Sequence, residues 1–205
     1  MSYTRFNCVV LGSVALVFVA CSGSSQNTPP EVPAATSNTA LPSADASTPA
    51  DVAALPAAGS KTVEVTIQPK SNSSISGKAT FVEVPDGVKV TLALANVPSG
   101  DHGAHVHEKG DCSDPEGKSA GGHFNPANNP HALPSSNPRH LGDLGNITVD
   151  ANGKGTLEIV AAGANLKPND PNSFLGRSII IHEKKDDGGQ PTGNAGGRIG
   201  CGEIK

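Results

Sequence analysis

Val-Lys-Val-Thr-Leu-Ala-Leu at residues 88–94 places a large apolar side chain at every second position. Successive side chains of a β-strand point to opposite faces, so this alternation predicts a strand with one face in a core and the other in solvent. The turn sequence Pro85-Asp86-Gly87 stands directly before it. Residues 88–94 are therefore expected to form a half-buried strand that is entered through a tight turn.

Similar segments recur on both sides of this strand. Val63, Val65 and Ile67 alternate with polar residues, and further strands are predicted at 75–84, around His105, and at 147–149, 156–160, 178–182 and 198–204. This gives about eight strands with turn signals between most of them, which is typical of an all-β sandwich or flattened barrel. The stretches 108–144 and 183–197 show no such pattern, and long loops on a strand framework usually carry function.

The composition agrees with a fold that is rich in turns. The chain has 205 residues with 24 Gly and 17 Pro, and it has no Trp, so a core must be built mainly from Val, Ile, Leu and Ala. The net charge is −4 at pH 7 and no basic run is present. Nucleic acid is therefore not expected as a partner.

Residues 1–20 are predicted to be an export signal. Arg5 is their only charge, and the apolar run from Cys8 to Ala20 is too short for a comfortable membrane span. The run ends Val-Phe-Val-Ala-Cys at 17–21, which resembles a bacterial lipoprotein signal in which Cys21 becomes the lipidated N-terminus. An ordinary secretory signal or an uncleaved anchor would explain the run less well.

Residues 21–60 are predicted to be a disordered tether between a lipid bilayer and the domain at 61–205. Residues 22–60 hold six prolines, ten alanines and no Lys or Arg, and they show no apolar period that could bury a face. Ser22 stands where an aspartate would signal retention in the inner membrane. The expected location is the cell envelope, on the periplasmic or surface side, with the outer membrane favoured.

The cysteines fit an exported protein. Cys8 leaves with the signal and Cys21 takes the lipid, so Cys112 and Cys201 remain as an even pair. Such a pair predicts a disulfide outside the cytoplasm, and two free buried thiols are the alternative.

All seven histidines lie between residues 102 and 182. His105 and His107 are two residues apart on a predicted strand, so both should point to the same face. Four more histidines and Asp143 follow, and imidazole is a preferred ligand of copper and zinc. The sequence therefore predicts two adjoining metal sites filled mostly by histidine.

Five runs carry a resemblance to a known family. They are His-Gly-Ala-His-Val-His-Glu (102–108), Gly-Gly-His-Phe-Asn-Pro (121–126), Arg-His-Leu-Gly-Asp-Leu-Gly-Asn (139–146), Ile-Ile-His-Glu-Lys-Lys-Asp-Asp (180–187) and Gly-Asn-Ala-Gly-Gly-Arg-Ile-Gly-Cys-Gly (193–202). In order and spacing they resemble copper,zinc superoxide dismutase, over about residues 62–205. The resemblance implies an eight-stranded Greek-key flattened barrel, or Ig-like sandwich, with two long functional loops.

The same resemblance implies the ligands of one copper and one zinc ion per subunit. Copper would be bound by His105, His107, His123 and His182. Zinc would be bound by His123, His131, His140 and Asp143. His123 would then serve both metals through its two ring nitrogens.

Other residues take their implied roles from the flanking matches. Asp186 stands where the family has an aspartate that hydrogen-bonds one histidine of each site, here His105 and His131. Arg198 stands where the family has the arginine that attracts and aligns superoxide, and Thr192 matches a threonine at the channel rim. His102 is expected to bind loop backbone and no metal.

The implied reaction converts superoxide to molecular oxygen and hydrogen peroxide, with Arg198 and His123 as the catalytic side chains. Lys184 and Lys185 are further candidates for attracting the anion. Bacterial relatives include monomers and dimers, so a homodimer stays open. The alternatives are a lipoprotein that only buffers metal and a mononuclear cupin, and the cupin does not explain His131, His140 or the cysteine pair.

Overall fold

The alternating segments of the sequence form the strands of the structure, a computed structural model that describes residues 60–205. The strands are β1 Thr62–Pro69, β2 Ser76–Val84, β3 Gly87–Ala95, β4 Gly100–His107, β5 Asp143–Val149, β6 Gly155–Ala162, β7 Arg177–His182 and β8 Arg198–Ile204. A single 3-10 turn at Lys118–Ala120 is the only helical element in this part of the chain. The predicted all-β class is confirmed.

The eight strands close into one antiparallel barrel. Their order around the barrel is β1-β2-β3-β6-β5-β4-β7-β8. Strand β3 pairs with β6 rather than with its successor β4, so the chain crosses an end of the barrel between β3 and β4. Every strand has a neighbour on both sides, although β5 and β6 pair only at Val149 and Gly155, and the predicted eight-stranded barrel is confirmed.

The alternation at residues 88–94 separates the two faces of β3 as predicted. Val88, Val90 and Leu92 are fully buried inside the barrel, whereas Thr91 is exposed. Burying one such side chain stabilises the fold by about 1.5–3 kcal/mol. Phe81 packs inside as well, with its ring edge-to-face against a second phenylalanine at 6.2 Å.

Strand β5 is longer than its sequence pattern predicts. The apolar alternation begins only at Ile147, but the strand begins at Asp143, which pairs with His105 of β4. Residues 143–146 therefore belong to the sheet and to the site at once, because Leu144 is buried in the core while Asp143 lies in the site. The first long loop consequently ends at residue 142, while the second spans 183–197 as predicted.

Strand β4 is buried on both of its faces. Ala104 and Val106 point into the barrel core, and His105 and His107 point outward under the two long loops. A β-bulge lies between Gly103 and His105, and bulges are a common means of re-aiming side chains near active sites. The predicted common face of His105 and His107 is therefore an outer face that loops cover.

The predicted disulfide between Cys112 and Cys201 is present, with a Cα–Cα distance of 5.8 Å. With Ala120 and Ile180 the two cysteines form a small apolar cluster, separate from the main core. The bond closes a loop over a sequence separation of 89 residues. In the chain-entropy treatment such a closure stabilises the fold by about 4–5 kcal/mol.

The predicted signal at 1–20, the lipidated Cys21 and the tether at 21–60 lie outside the described residues and stay predictions. Within residues 60–205 no helix has the length and apolar character needed to cross a bilayer.

Candidate metal centre

Two buried groups of side chains lie on the outer face of β4 and share His123. The first, called here the four-histidine group, contains His105, His107, His123 and His182. The second, called the carboxylate group, contains His123, His131, His140 and Asp143. In each group the atoms that could bind a metal lie within 4.8 Å of one another. The structure thus brings together all seven side chains that the sequence analysis selected as ligands.

The barrel and the first long loop each supply part of these groups. His105 and His107 lie on β4, His182 ends β7, and Asp143 begins β5. His123 lies in the loop at 108–142 and is attached to β4 by a bridge with His107. His131 and His140 come from the same loop, which therefore binds the barrel through the groups it helps to form.

Three rings of the four-histidine group each use one nitrogen for hydrogen bonding within the protein. His107 Nδ1 donates to the Gly121 carbonyl at 3.0 Å, and His182 Nδ1 donates to the Gly196 carbonyl at 3.2 Å. His105 Nε2 donates to an oxygen of Asp186 at 2.8 Å. Each of these bonds fixes the tautomer of its ring, because the bonded nitrogen carries the proton.

The opposite nitrogens are the ones a metal would need. Among residues 60–205, His105 Nδ1, His107 Nε2 and His182 Nε2 are buried and have no hydrogen-bond partner. An unpaired buried acceptor is costly, so three of them in one cluster are suited to binding a cation. The four-histidine group therefore fits a metal that binds imidazole nitrogen.

Burial keeps these rings neutral at pH 7. It lowers the pKa of His105 to about 4 and that of His182 to about 3, and it lowers the pKa of His107 well below its usual value. Neutral imidazole is the form that binds a metal, so no proton has to be removed from these three rings first.

The carboxylate group has the spacing of a tetrahedral ligand set. Oxygen Oδ1 of Asp143 lies 3.0 Å from His123 Nδ1, 3.1 Å from His131 Nδ1 and 3.2 Å from His140 Nδ1. His140 Nδ1 and His123 Nδ1 are 3.3 Å apart. Donor atoms about 2.0–2.1 Å from a tetrahedral zinc ion would lie about 3.3 Å from one another. The carboxylate group therefore fits zinc.

Asp143 is itself held in place by backbone. Its second oxygen, Oδ2, accepts the N–H groups of Ala132 at 3.2 Å and His140 at 3.0 Å. Burial alone would raise the pKa of Asp143, but the bond to His123 and the neighbouring rings hold that pKa below its usual value. The carboxyl group is therefore ionised and can act as an anionic ligand.

Asp186 joins the two groups, as the sequence analysis expected. It is fully buried, and its two oxygens accept His105 Nε2 at 2.8 Å and His131 Nε2 at 3.0 Å. Burial would raise the pKa of Asp186, but these two bonds and the Gly188 N–H lower it strongly. His105, His131 and Asp186 also satisfy the spacing of a metal site, but the atoms that face one another there, the two Nε2 atoms and the carboxylate oxygens, are already joined by ordinary hydrogen bonds.

Arg198 is anchored beside the four-histidine group. Its Nη1 donates to the Gly117 carbonyl and its Nη2 to the Gly121 carbonyl, both at 2.7 Å. The Gly121 carbonyl also accepts His107 Nδ1. One loop oxygen therefore holds both the arginine and a histidine of the site.

The other residues named in the sequence analysis have different surroundings in the structure. His102 is buried, and its nitrogens lie 3.0 Å from the His182 carbonyl and 2.8 Å from the Pro98 carbonyl, so it binds backbone as expected. Thr192 and Lys184 are exposed in the second long loop. Lys185 forms an ion pair with Asp101 at 3.0 Å, which offsets its charge and weakens the expectation that it attracts an anion.

Two side chains that the sequence analysis did not select also hold the site. Gln190 accepts the His131 N–H at 3.2 Å and donates to the His131 carbonyl at 2.6 Å. Asn146 accepts the Asp186 N–H at 2.7 Å and donates to the Asp186 carbonyl at 2.9 Å. Asn146 lies in one of the family-like runs, which offered a signal, whereas no pattern pointed to Gln190.

Comparison with known proteins finds a matching family model and several similar solved structures. A family model described as copper/zinc superoxide dismutase matches residues 75–204. The crystal structure of the clock protein EA4 is similar with a TM-score of 0.64 and 38% identity, covering 71% of this chain and 94% of that one. A SOD-like protein from Bacillus subtilis matches with a TM-score of 0.62 and 33% identity, covering 69% of this chain and 97% of that one. A double mutant of a SOD-like protein from the same organism gives 0.61 and 36%, covering 69% and 95%.

Proposed function

The chain belongs to the copper/zinc superoxide dismutase family, whose members are oxidoreductases that act on superoxide, and we propose that one copper and one zinc ion share His123 in it. The family and the histidine-rich site together carry the general conclusion of superoxide dismutation. The ligand assignment and the roles of single side chains are the proposal.

Copper is assigned to the four-histidine group. The support is the set of buried, unpaired nitrogens on His105, His107 and His182, which belong to neutral rings with fixed tautomers. Copper in both of its oxidation states accepts imidazole ligands. When bound there, it supplies the one-electron chemistry by which one superoxide is oxidised to oxygen and another is reduced to peroxide.

Zinc is assigned to the carboxylate group because of the near-tetrahedral spacing around Asp143 Oδ1. His123 is assigned to both ions. Its Nδ1 faces Asp143 at 3.0 Å, so its Nε2, on the other side of the ring, is left for the four-histidine group. The two protons that peroxide requires must reach the reduced oxygen species, and His123 Nε2 is the atom of this chain placed to hold one of them.

Arg198 is assigned to the substrate anion. A guanidinium stays charged at any working pH and forms strong hydrogen bonds to small oxyanions. Its side chain is fixed by two loop carbonyls at 2.7 Å, so the charge does not have to be ordered when superoxide arrives. Because the chain has a net charge of −4, this local cation is what offsets repulsion of the anion.

The test is superoxide consumption by the purified protein together with metal analysis. We expect one copper and one zinc per chain, and activity that is lost when cyanide occupies copper and regained when cyanide is removed. A protein that carries both metals and consumes no superoxide would be a metal buffer, and that result would overturn the proposed catalytic role of these residues.

The cellular role proposed is protection of the cell envelope from superoxide formed outside the cytoplasm. Support comes from the apolar run before Cys21 and from the disulfide, a bond that persists in oxidising compartments. Expression of the full chain with labelled palmitate should label the wild-type protein and not the Cys21→Ser variant. Equal labelling of the two proteins would exclude Cys21 as the lipid attachment site.

The oligomeric state is a separate question. Light scattering of the released domain would decide whether it is a monomer or a homodimer.

A further inference from the structure

We propose that a cavity beside His140, separate from the copper side of the site, binds a small oxyanion through the guanidinium of Arg139. The cavity has a volume of about 240 Å³. It lies between the first long loop, which contributes Asn137, Arg139 and His140, and the segment after β6, which contributes Gly163 and Asn172. At about 30 Å³ for each water molecule, it has room for a hydrated phosphate ion.

The side chain of Arg139 has no partner in the part of the chain that the structure describes. Within residues 60–205 its guanidinium donates no hydrogen bond and forms no ion pair, and its Nε is fully shielded from solvent. Within the described residues, this Nε–H is therefore a buried donor without a hydrogen-bond partner. Its backbone is nevertheless fixed, because the Arg139 carbonyl accepts Asn129 Nδ2 at 2.9 Å.

Arg139 differs in this respect from the other two arginines in residues 60–205. Arg198 donates to two carbonyls, and Arg177 donates to the Glu108 carbonyl while lying 4.2 Å from the centre of the Phe124 ring. Each of those guanidinium groups has a protein partner that explains its position. Only Arg139 is left with a cavity in place of a partner.

The residues that line the cavity suit an anion. No aspartate or glutamate lines the cavity, whereas Asn137 and Asn172 do. Amide and guanidinium N–H groups are donors, and the flat guanidinium fork matches the oxygen spacing of phosphate or carboxylate. This combination favours a small oxyanion and disfavours a cation.

The probe is inorganic phosphate at constant ionic strength, added to the ¹⁵N-labelled, metal-loaded protein with copper kept reduced so that it does not broaden signals. Arginine Nε–H resonances report each guanidinium separately. We expect the Arg139 resonance to shift saturably, together with the side-chain amides of Asn137 and Asn172. Acetate as a second probe distinguishes a phosphate-like from a carboxylate ligand.

Arg139→Gln should weaken the response of the two asparagine amides at least tenfold, and Arg139→Lys should restore part of it. Lys78→Gln is the matched control, since Lys78 is an exposed residue on β2 whose loss changes net charge by the same amount. A wild-type Arg139 resonance that does not move, or that moves linearly without saturation, would overturn the proposal. So would an equal loss of response in the Lys78 variant.

Discussion

Single side chains in this protein do two tasks at once, and His123 is the clearest case. It is the one residue common to the four-histidine group and the carboxylate group. Its neighbours differ in this respect, because His182 belongs only to the first group. Substitutions at these two positions should therefore have different effects on the two metals.

His123→Ala should lower the content of both metals, whereas His182→Ala should lower copper and leave zinc close to one per chain. The reason is that His123 contributes a nitrogen to each group and His182 to one. Metal analysis of the two variants after identical loading and dialysis makes the measurement. An equal loss of zinc in both variants would contradict the shared ligand.

Arg198→Ala should lower kcat/KM for superoxide about tenfold with metal content unchanged, because one or two charge-assisted hydrogen bonds to the anion are lost. Arg198→Lys keeps the charge but loses the planar pair of N–H donors. Its kcat/KM should therefore lie between the values of the wild type and the alanine variant. Pulse-generated superoxide decay at several salt concentrations gives the rates. Wild-type kinetics in the alanine variant would remove the assigned role.

Two loops lie over the outer face of β4, and hydrogen bonds to His131 connect the second loop to the first. Gln190 of the second loop forms hydrogen bonds with both the N–H and the carbonyl of His131 in the first loop. Asp186 of the second loop bonds one histidine of each group. The second loop therefore supplies no carboxylate-group ligand, yet it holds one of those ligands in position.

Gln190→Ala should accelerate zinc release about tenfold, in the range seen when outer partners of metal ligands are removed. Release to a coloured chelator after copper is removed gives the rate. Thr192→Ala is the control, since Thr192 is exposed in the same loop. Equal release rates in the Gln190 and Thr192 variants would show that the two-way bond to His131 does not matter.

Prediction from sequence succeeded where side-chain chemistry repeats a local period. The alternation at residues 88–94 gave a strand and its inner face, and the closely spaced histidines gave a metal centre. Prediction was incomplete where the position of a residue depends on contacts with residues far away in the sequence. Strand β5 begins at Asp143 only because β4 lies opposite, and Gln190 reaches His131 across 59 positions, so no local pattern reports either contact.

Among residues 60–205, the buried histidine nitrogens without a hydrogen-bond partner all lie outside the apolar core of the barrel. The barrel core is apolar and complete, while the buried histidines lie between barrel and loops. Metal binding should therefore stabilise the loops far more than the barrel. Acid should act in the opposite direction, because it charges the same rings.

Stability of the metal-free protein should fall as pH is lowered from about 6.5 to about 4. Burial lowers the pKa of His105 to about 4 and that of His182 to about 3, so in this window the unfolded state binds more protons than the folded state. Urea midpoints at pH 6.5 and 4.5 measure the effect. His182→Gln, which cannot titrate, should show a smaller difference between the two midpoints. An unchanged difference would contradict the contribution of His182 to the loss of stability in acid.

The carbonyl oxygen of Gly121 has a consequence for any redesign of the enzyme. It accepts both Arg198 Nη2 and His107 Nδ1, so a backbone shift there would move together the side chain proposed to attract superoxide and a ring proposed to bind copper. Under the proposed assignments, a change at this carbonyl would alter anion attraction and the copper site together. An engineer who wishes to alter one without the other must leave residues 117–121 in place and change the surface beyond them.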